Sequence, residues 1–341
     1  MRHALRKEPP DVTHAYLHSR RLRGLLAAAL AAGLALTVAA CSSDSAPVAE
    51  KTSTTASTRT VSTPEGKVTV PSHPLRVVSV HSWTTESLLD LGVTPLGVED
   101  SGAEYVPQRY LARWTKIDKV AQGATVDFEK IAALKPDLIV GVDVPYLKKD
   151  YAKLSAIAPT VLAPFGDDQT WQDYPTYTAD YVGANAKLAA LKKKYDSAVA
   201  AAKTEYAPQL ASIKWDVVQG GFDAGNYWIY STTSPVGSVL TQLGAQFASA
   251  TAAVKPGGQN SVSYEKTDLL ADADEIIYYT NNDGTPANDI DKLFALQGYQ
   301  NLPAVKAGHT VGTPDFLPGS YSDALGLLGS ITDALKKDAA Q

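Results

Sequence analysis

Two periods of apolar residues alternate along most of this chain. Short valine-, isoleucine- and leucine-rich runs read as buried strands, and between them lie stretches with the 3.6-residue spacing of amphipathic helices. In the first half the order is "LRVVSV" (75–80, strand), "TTESLLDLG" (84–92, helix), "VTPLGVED" (93–100, strand), a loop, "VDFEKIAALKPDLIVG" (126–141, helix then strand) and "LSAIAPTVLAP" (154–164). The second half repeats it with "KWDVVQG" (214–220), "SPVGSVLTQLG" (234–244), "VSYEKTDLLADADEIIYY" (262–279) and "LPAVKAGHTVGTP" (302–314). Both quoted helix–strand copies open Val-x-(Phe or Tyr)-Glu-Lys, which predicts one structural unit used twice. Strands alternating with short helices imply a doubly wound parallel sheet in each half.

Between the halves, "YVGANAKLAALKKKYDSAVAAAKTEYAP" (181–208) carries Leu188, Leu191, Tyr195, Val199 and Tyr206 near one helical stripe and has no breaker from Ala184 to Ala207. At 1.5 Å per residue such a helix spans about 36 Å, enough to join two lobes as one strut. The predicted fold class is therefore α/β: two doubly wound lobes, residues 64–180 and 209–341, joined by a single long helix over 181–208.

The first 40 residues follow another pattern. Basic "SRRLRG" (19–24) precedes apolar "LLAAALAAGLALTVAA" (25–40), as in an export signal, and the apolar run is too short and small-residued for a membrane span. Arg20 and Arg21 hint at twin-arginine export, although Arg23 and Gly24 stand where that signal prefers apolar residues. Cys41 is the sole cysteine, which excludes an internal disulfide. "VAAC" (38–41) resembles the lipobox of bacterial lipoproteins. That resemblance implies lipidation of Cys41 and a protein tethered to the cell membrane, facing away from the cytoplasm; the alternative is a buried thiol. Residues 41–63, rich in Ser, Thr and Ala, read as a flexible tether.

Charge narrows the class further. The whole chain carries −5, and the leader holds six Lys or Arg against two acids, which leaves about −9 beyond it. An acidic chain without a basic run argues against nucleic acid.

Five stretches in order, "GKVTVPSHPLRVVSV" (66–80), "LLDLGVTPLGVED" (88–100), "DFEKIAALKPDLIVGVD" (127–143), "LSAIAPTVL" (154–162) and "LPAVKAGHTV" (302–311), resemble the substrate-binding lipoproteins of bacterial ABC importers for iron-siderophores, haem and cobalamin. The resemblance implies a ligand cleft between the lobes, transport without catalysis, a monomer, and no resident cofactor, the iron arriving inside the ligand. It also implies that Glu129 and Glu265, one per repeat, pair with arginines of a two-subunit permease. Their places predict helix starts capped by Asp127 and Ser263, where an acid also complements the helix dipole.

Ligands of open α/β sheets lie beyond the carboxyl ends of the strands. The candidates there are His81, Trp83, Tyr105, Arg109, Asp143, Tyr146 and Phe165 in the first half, and Phe222, Trp228, Tyr230, Tyr279, Asn281, Phe316 and Tyr321 in the second. No arginine follows Arg113. Anionic ferric catecholates or citrates need several fixed cations, whereas a ferric hydroxamate needs mainly aromatic walls and one or two donors. The expectation is a hydroxamate-type siderophore with Arg109 as its cationic contact. Some hydroxamate-binding relatives carry an arginine near the place where this chain has Pro235, a departure from the resemblance.

Haem or cobalamin is an alternative ligand. Direct metal binding is another, but beyond the leader only His73, His81 and His309 are available, and only His81 follows a strand. No nucleophile elbow, Walker loop or dinucleotide fingerprint suggests an enzyme.

Overall fold

The computed structural model describes residues 57–166, 168–221 and 225–339, all within one compact unit, Thr54–Gln341. The leader, Cys41 and Phe222 lie outside the described residues.

The first sheet runs in the order Thr125–Val126, Asp118–Gln122, Gly97–Asp100, Val77–Ser79, Leu138–Val142, Thr160–Ala163, parallel except at its first edge. Leu138–Val142 is buried at every position, as a central strand covered on both faces must be. In the second sheet Lys214–Gly220, Glu275–Tyr279 and Thr310–Thr313 are parallel. Asn226–Tyr230, however, runs antiparallel to both Lys214–Gly220 and Gln259–Ser263, so the expected all-parallel repeat fails at that edge. Only residues 221–225 separate the two strands, too few for a parallel crossover of about a dozen residues or more.

Three expected boundaries move. The tether reading ended at residue 63, yet Thr58–Thr63 pairs antiparallel with Gly66–Pro71, and Val61 and Val70 enter the first-lobe core. Alternating Thr and Val favours a pleated strand despite the low hydrophobicity of the segment. The joining helix is Asn185–Glu205, 21 residues or about 32 Å, because the left-handed Gly183 ends the preceding helix Asp173–Val182, and Pro208 starts Ala207–Ser212. Leu188 and Leu191 on this helix pack against the cores of both lobes.

The third change concerns the repeated stretch. Its first copy forms the helix Phe128–Leu134, capped by Asp127 accepting the Lys130 N–H. Its second copy is not a helix starting after Ser263. Ser263 closes the strand Gln259–Ser263, and only the 3₁₀ turn Thr267–Leu270 follows.

The lobes also meet away from the joining helix. The terminal helix Tyr321–Asp338 packs on it and touches the first-lobe helix Ser82–Asp90. Ser87 Oγ donates to the Gly319 carbonyl at 2.6 Å, and Tyr110 Oη lies 2.8 Å from Ser320 Oγ. A Cβ at Gly319 would sit 2.2 Å from Glu86 Oε2 and 3.1 Å from Trp83 Cα, so a side chain there would have to displace the Glu86 carboxylate.

Candidate ligand cleft

Between the lobes lies a cavity of about 250 Å³. Trp83, Phe165 and Tyr174 wall it from the first-lobe side, and Tyr230, Leu317 and Trp171, which packs with the second-lobe core, from the other. The indole of Trp83 lies 4.6 Å from Tyr174 and 6.5 Å from Phe165, centroid to centroid. Phe165 is 49 % exposed, one of three large apolar side chains so placed among the described residues, and its open ring faces a space that an apolar ligand surface can fill. The polar groups at the margin, Gln169, Thr170, Thr233, Ser234 and Gln259, are neutral donors and acceptors. Among the described residues that border the cavity, none is charged.

Several expected contacts have other partners. Arg109 does not border the cavity. It reaches across the lobes to Asp315, with bonds of 2.6 Å from both terminal nitrogens, and to Asp323. Two carboxylates that are 6 % and 2 % exposed compete for the guanidinium and hold it. Burial disfavours the charge of Arg109, but the two acids more than offset this and keep it above its ordinary range. Burial pushes Asp323 up to about 7, against the pull of Arg109. Glu86, partly buried beside the same group, is also raised, first by burial and then by Asp323 and Asp315.

His81 is buried and caps the helix Ser82–Asp90, its Nδ1 accepting the Trp83 N–H at 3.3 Å. Burial lowers its pKa to about 4, so the ring is neutral at physiological pH and its Nδ1 is committed. Phe316 and Tyr321 are core rather than cleft, 0 % and 2 % exposed; Tyr321 packs edge-on against Trp171 and Tyr195. Tyr105 belongs to the lobe–lobe contact, stacked on Tyr279 and donating to Asn288 Oδ1 at 3.2 Å. Tyr146, half-buried against the first core, and Trp228, half-buried beside Tyr230, do not border the cavity. Asn281 turns into its own loop and donates to Thr285; the neighbouring Asn282 instead ties the lobes through the Ala103 and Val106 carbonyls.

The structure therefore brings together Trp83, Phe165 and Tyr230 of the expected set. It adds Trp171 and Tyr174, which precede or begin a helix and so escape a search of strand ends. The signal for them was the aromatic pair in "TWQDY" (170–174), where buried Trp171 Nε1 has no hydrogen-bond partner among the described residues. Glu129 and Glu265 are both exposed, one on each lobe.

A two-lobed α/β protein with an uncharged aromatic cleft at the lobe boundary is a binding protein by architecture. Residues 77–316 match the periplasmic binding protein family, and the chain belongs to it. YhfQ of Bacillus subtilis (strain 168), whose name places it among ABC transporter substrate-binding lipoproteins, is 30 % identical over 81 % of this chain and 86 % of its own. The iron(3+)-hydroxamate-binding protein YxeB of the same strain is 26 % identical over 80 % and 84 %. Among solved structures, the siderophore periplasmic binding protein from the fuscachelin gene cluster of Thermobifida fusca superposes with a TM-score of 0.70 at 28 % identity, over 79 % of this chain and 98 % of that one. No described helix is long and apolar enough to cross a membrane.

Proposed function

We propose that this protein is the capture component of an ABC importer for ferric siderophores, lipid-anchored at Cys41 outside the cytoplasm, and that its ligand is a ferric hydroxamate. Names among its relatives span several siderophore chemistries. The choice of hydroxamate therefore rests on one observation, the uncharged aromatic cleft. A tris-catecholate brings about three negative charges and would meet no bordering cation there, which costs affinity in a partly desolvated site. A neutral or cationic wrapped iron needs only aromatic contact and a few neutral hydrogen bonds. The metal stays inside its chelator, so the protein needs no cofactor and performs no chemical step. Delivery runs through Glu129 and Glu265 to arginines of the permease, a role carried by the family resemblance and consistent with the exposure of both side chains.

Tryptophan fluorescence tests the ligand class. A ferric tris-hydroxamate should quench Trp83 and Trp171 at submicromolar concentration, and a ferric tris-catecholate should do so far less. Equal affinity for the two would sink the hydroxamate assignment. For the anchor, Cys41→Ser should abolish incorporation of a lipid label, and unchanged labelling would refute that part.

A further inference from the structure

At the amino ends of the second-lobe strands, away from the cleft, three chain segments converge. Glu275 opens the strand Glu275–Tyr279, His309 immediately precedes Thr310–Thr313, and Asp338 ends the terminal helix. The parallel register that pairs Ile276 with Thr310 sets Glu275 beside His309. Both residues share the sheet face of Ile277 and Val311, which pack in the same core cluster as Leu335 of the terminal helix. His309 Nδ1 lies 3.8 Å from Glu275 Oε1, and its Nε2 lies 3.5 Å from Asp338 Oδ1. One ligand atom from each residue fits within 4.8 Å of the others.

We propose that Glu275, His309 and Asp338 form a binding site for a divalent transition-metal cation of the zinc or manganese(II) class. An imidazole nitrogen with two carboxylates is a donor set these ions accept. Metal–ligand distances near 2.1 Å place ligand atoms about 3 to 3.5 Å apart, so closing on an ion needs only small side-chain rotations.

The unmet valence of the cluster points to a cation independently of its composition. The Glu275 side chain is 3 % exposed, and its Oε2 is buried without a hydrogen-bond partner among the described residues. Both Asp338 oxygens are in the same condition. Asp338 also stands at the carboxyl end of an 18-residue helix, where the dipole disfavours an acid, and Asp274 adds further negative charge nearby. Among the described residues, Lys337 and, when protonated, His309 are the cations acting on these acids. A surface cavity of about 390 Å³, bordered by Asp274, His309 and Asp338, gives an ion a way in and room for water in its remaining positions. An ion there would staple the terminal helix to the sheet.

The test is titration of chelator-stripped protein with zinc(II) or manganese(II) alone, without siderophore. One equivalent should bind saturably and raise the melting temperature, and cobalt(II) should develop ligand-field absorption. Asp338→Asn, at a helix end where folding is least at risk, and His309→Ala should each weaken metal binding at least tenfold, with quenching by ferric siderophore unchanged. Absence of saturable one-to-one binding, or wild-type affinity in Asp338→Asn, overturns the site. Melting that responds to pH but not to metal would show the cluster to be a proton-bridged contact instead. Because siderophore quenching is read separately, failure here leaves the proposed function untouched.

Discussion

The stretches 126–130 and 262–266 share a sequence pattern and differ in backbone. In the first, Asp127 caps a regular helix, Ile131 is fully buried beneath it, and Glu129 stands in the first turn. In the second, Ser263 pairs with Asn226 across an antiparallel ladder and the Tyr264 N–H donates to the Gly225 carbonyl, so the backbone is held by the sheet through Ser263 and turns before Thr267. Glu265 sits in the intervening turn, its N–H 3.4 Å from Ser263 Oγ. Tyr264 stacks on Tyr227 at 6.1 Å with the rings nearly parallel, and this contact across the added strand holds the turn. Local sequence selects an exposed glutamate in both lobes, but tertiary pairing decides what carries it. One glutamate is presented by a helix and the other by a turn.

The largest effect expected from this contrast is on uptake. Glu129→Ala combined with Glu265→Ala should abolish transport at limiting siderophore while ligand affinity and melting temperature stay near wild type. Normal uptake by the double variant would leave these acids as helix and turn residues only. Glu129→Arg alone should be severe, since it sets like charges face to face.

The lobes also differ in charge where they touch: the first contributes Arg109, the second Asp315 and Asp323. Arg109→Ala should destabilise the protein by about 3 kcal/mol in denaturant unfolding, because it leaves two buried carboxylates without a counter-ion. A loss below about 1 kcal/mol would mean that the carboxyls are already neutral. Siderophore affinity should change much less than stability, the reverse of what a cleft arginine would give.

A smaller effect follows from the raised acids at the same contact. Asp323 titrates at about 7 in the folded chain, above its ordinary range, so the stability it contributes is complete at acid pH, below the unfolded value, and is lost as pH rises through about 7. Melting temperature should fall between about pH 4 and 7 and level off above that, and Asp323→Asn should flatten that slope. An unchanged slope in the variant would assign the titration to another group, with Glu99, also raised to about 7 by burial, the next to test.

The smallest effect returns to the two repeats. Asp127→Ala removes a true helix cap and should cost about 1 kcal/mol, whereas Ser263→Ala should cost only a few tenths. Equal costs would mean that the two turns are energetically alike despite their different hydrogen bonds.

Legibility in the sequence followed the range of the interaction. The strand–helix alternation, the joining helix and the Asp127 cap depend on residues a few positions apart, and they were readable. Arg109 was readable as a scarce cation but not as a partner of Asp315, which lies 206 residues away. Phe316 and Tyr321 follow a strand as cleft residues should, yet the terminal helix carries Tyr321 into the space between Trp171 and Tyr195. The hairpin beginning at Thr58 was hidden by its serine- and threonine-rich composition, because its stability comes from docking two valines into a core built by later residues. In the sequence His309 is only one of three histidines beyond the leader; its two acidic neighbours come from other elements.

The contact between Ser87 and Gly319 bears on how the chain is born. Residues of the first lobe leave the ribosome early, but Ser87, Asp90 and Tyr110 find their partners only among Gly319, Ser320 and Ser322. Vectorial synthesis thus yields a first lobe with an unfinished face, and the last segment to emerge is the one that completes it. A chain stopped short of Gly319 would hold every described strand of both sheets and still lack the part of the seam that Ser87, Asp90 and Tyr110 form.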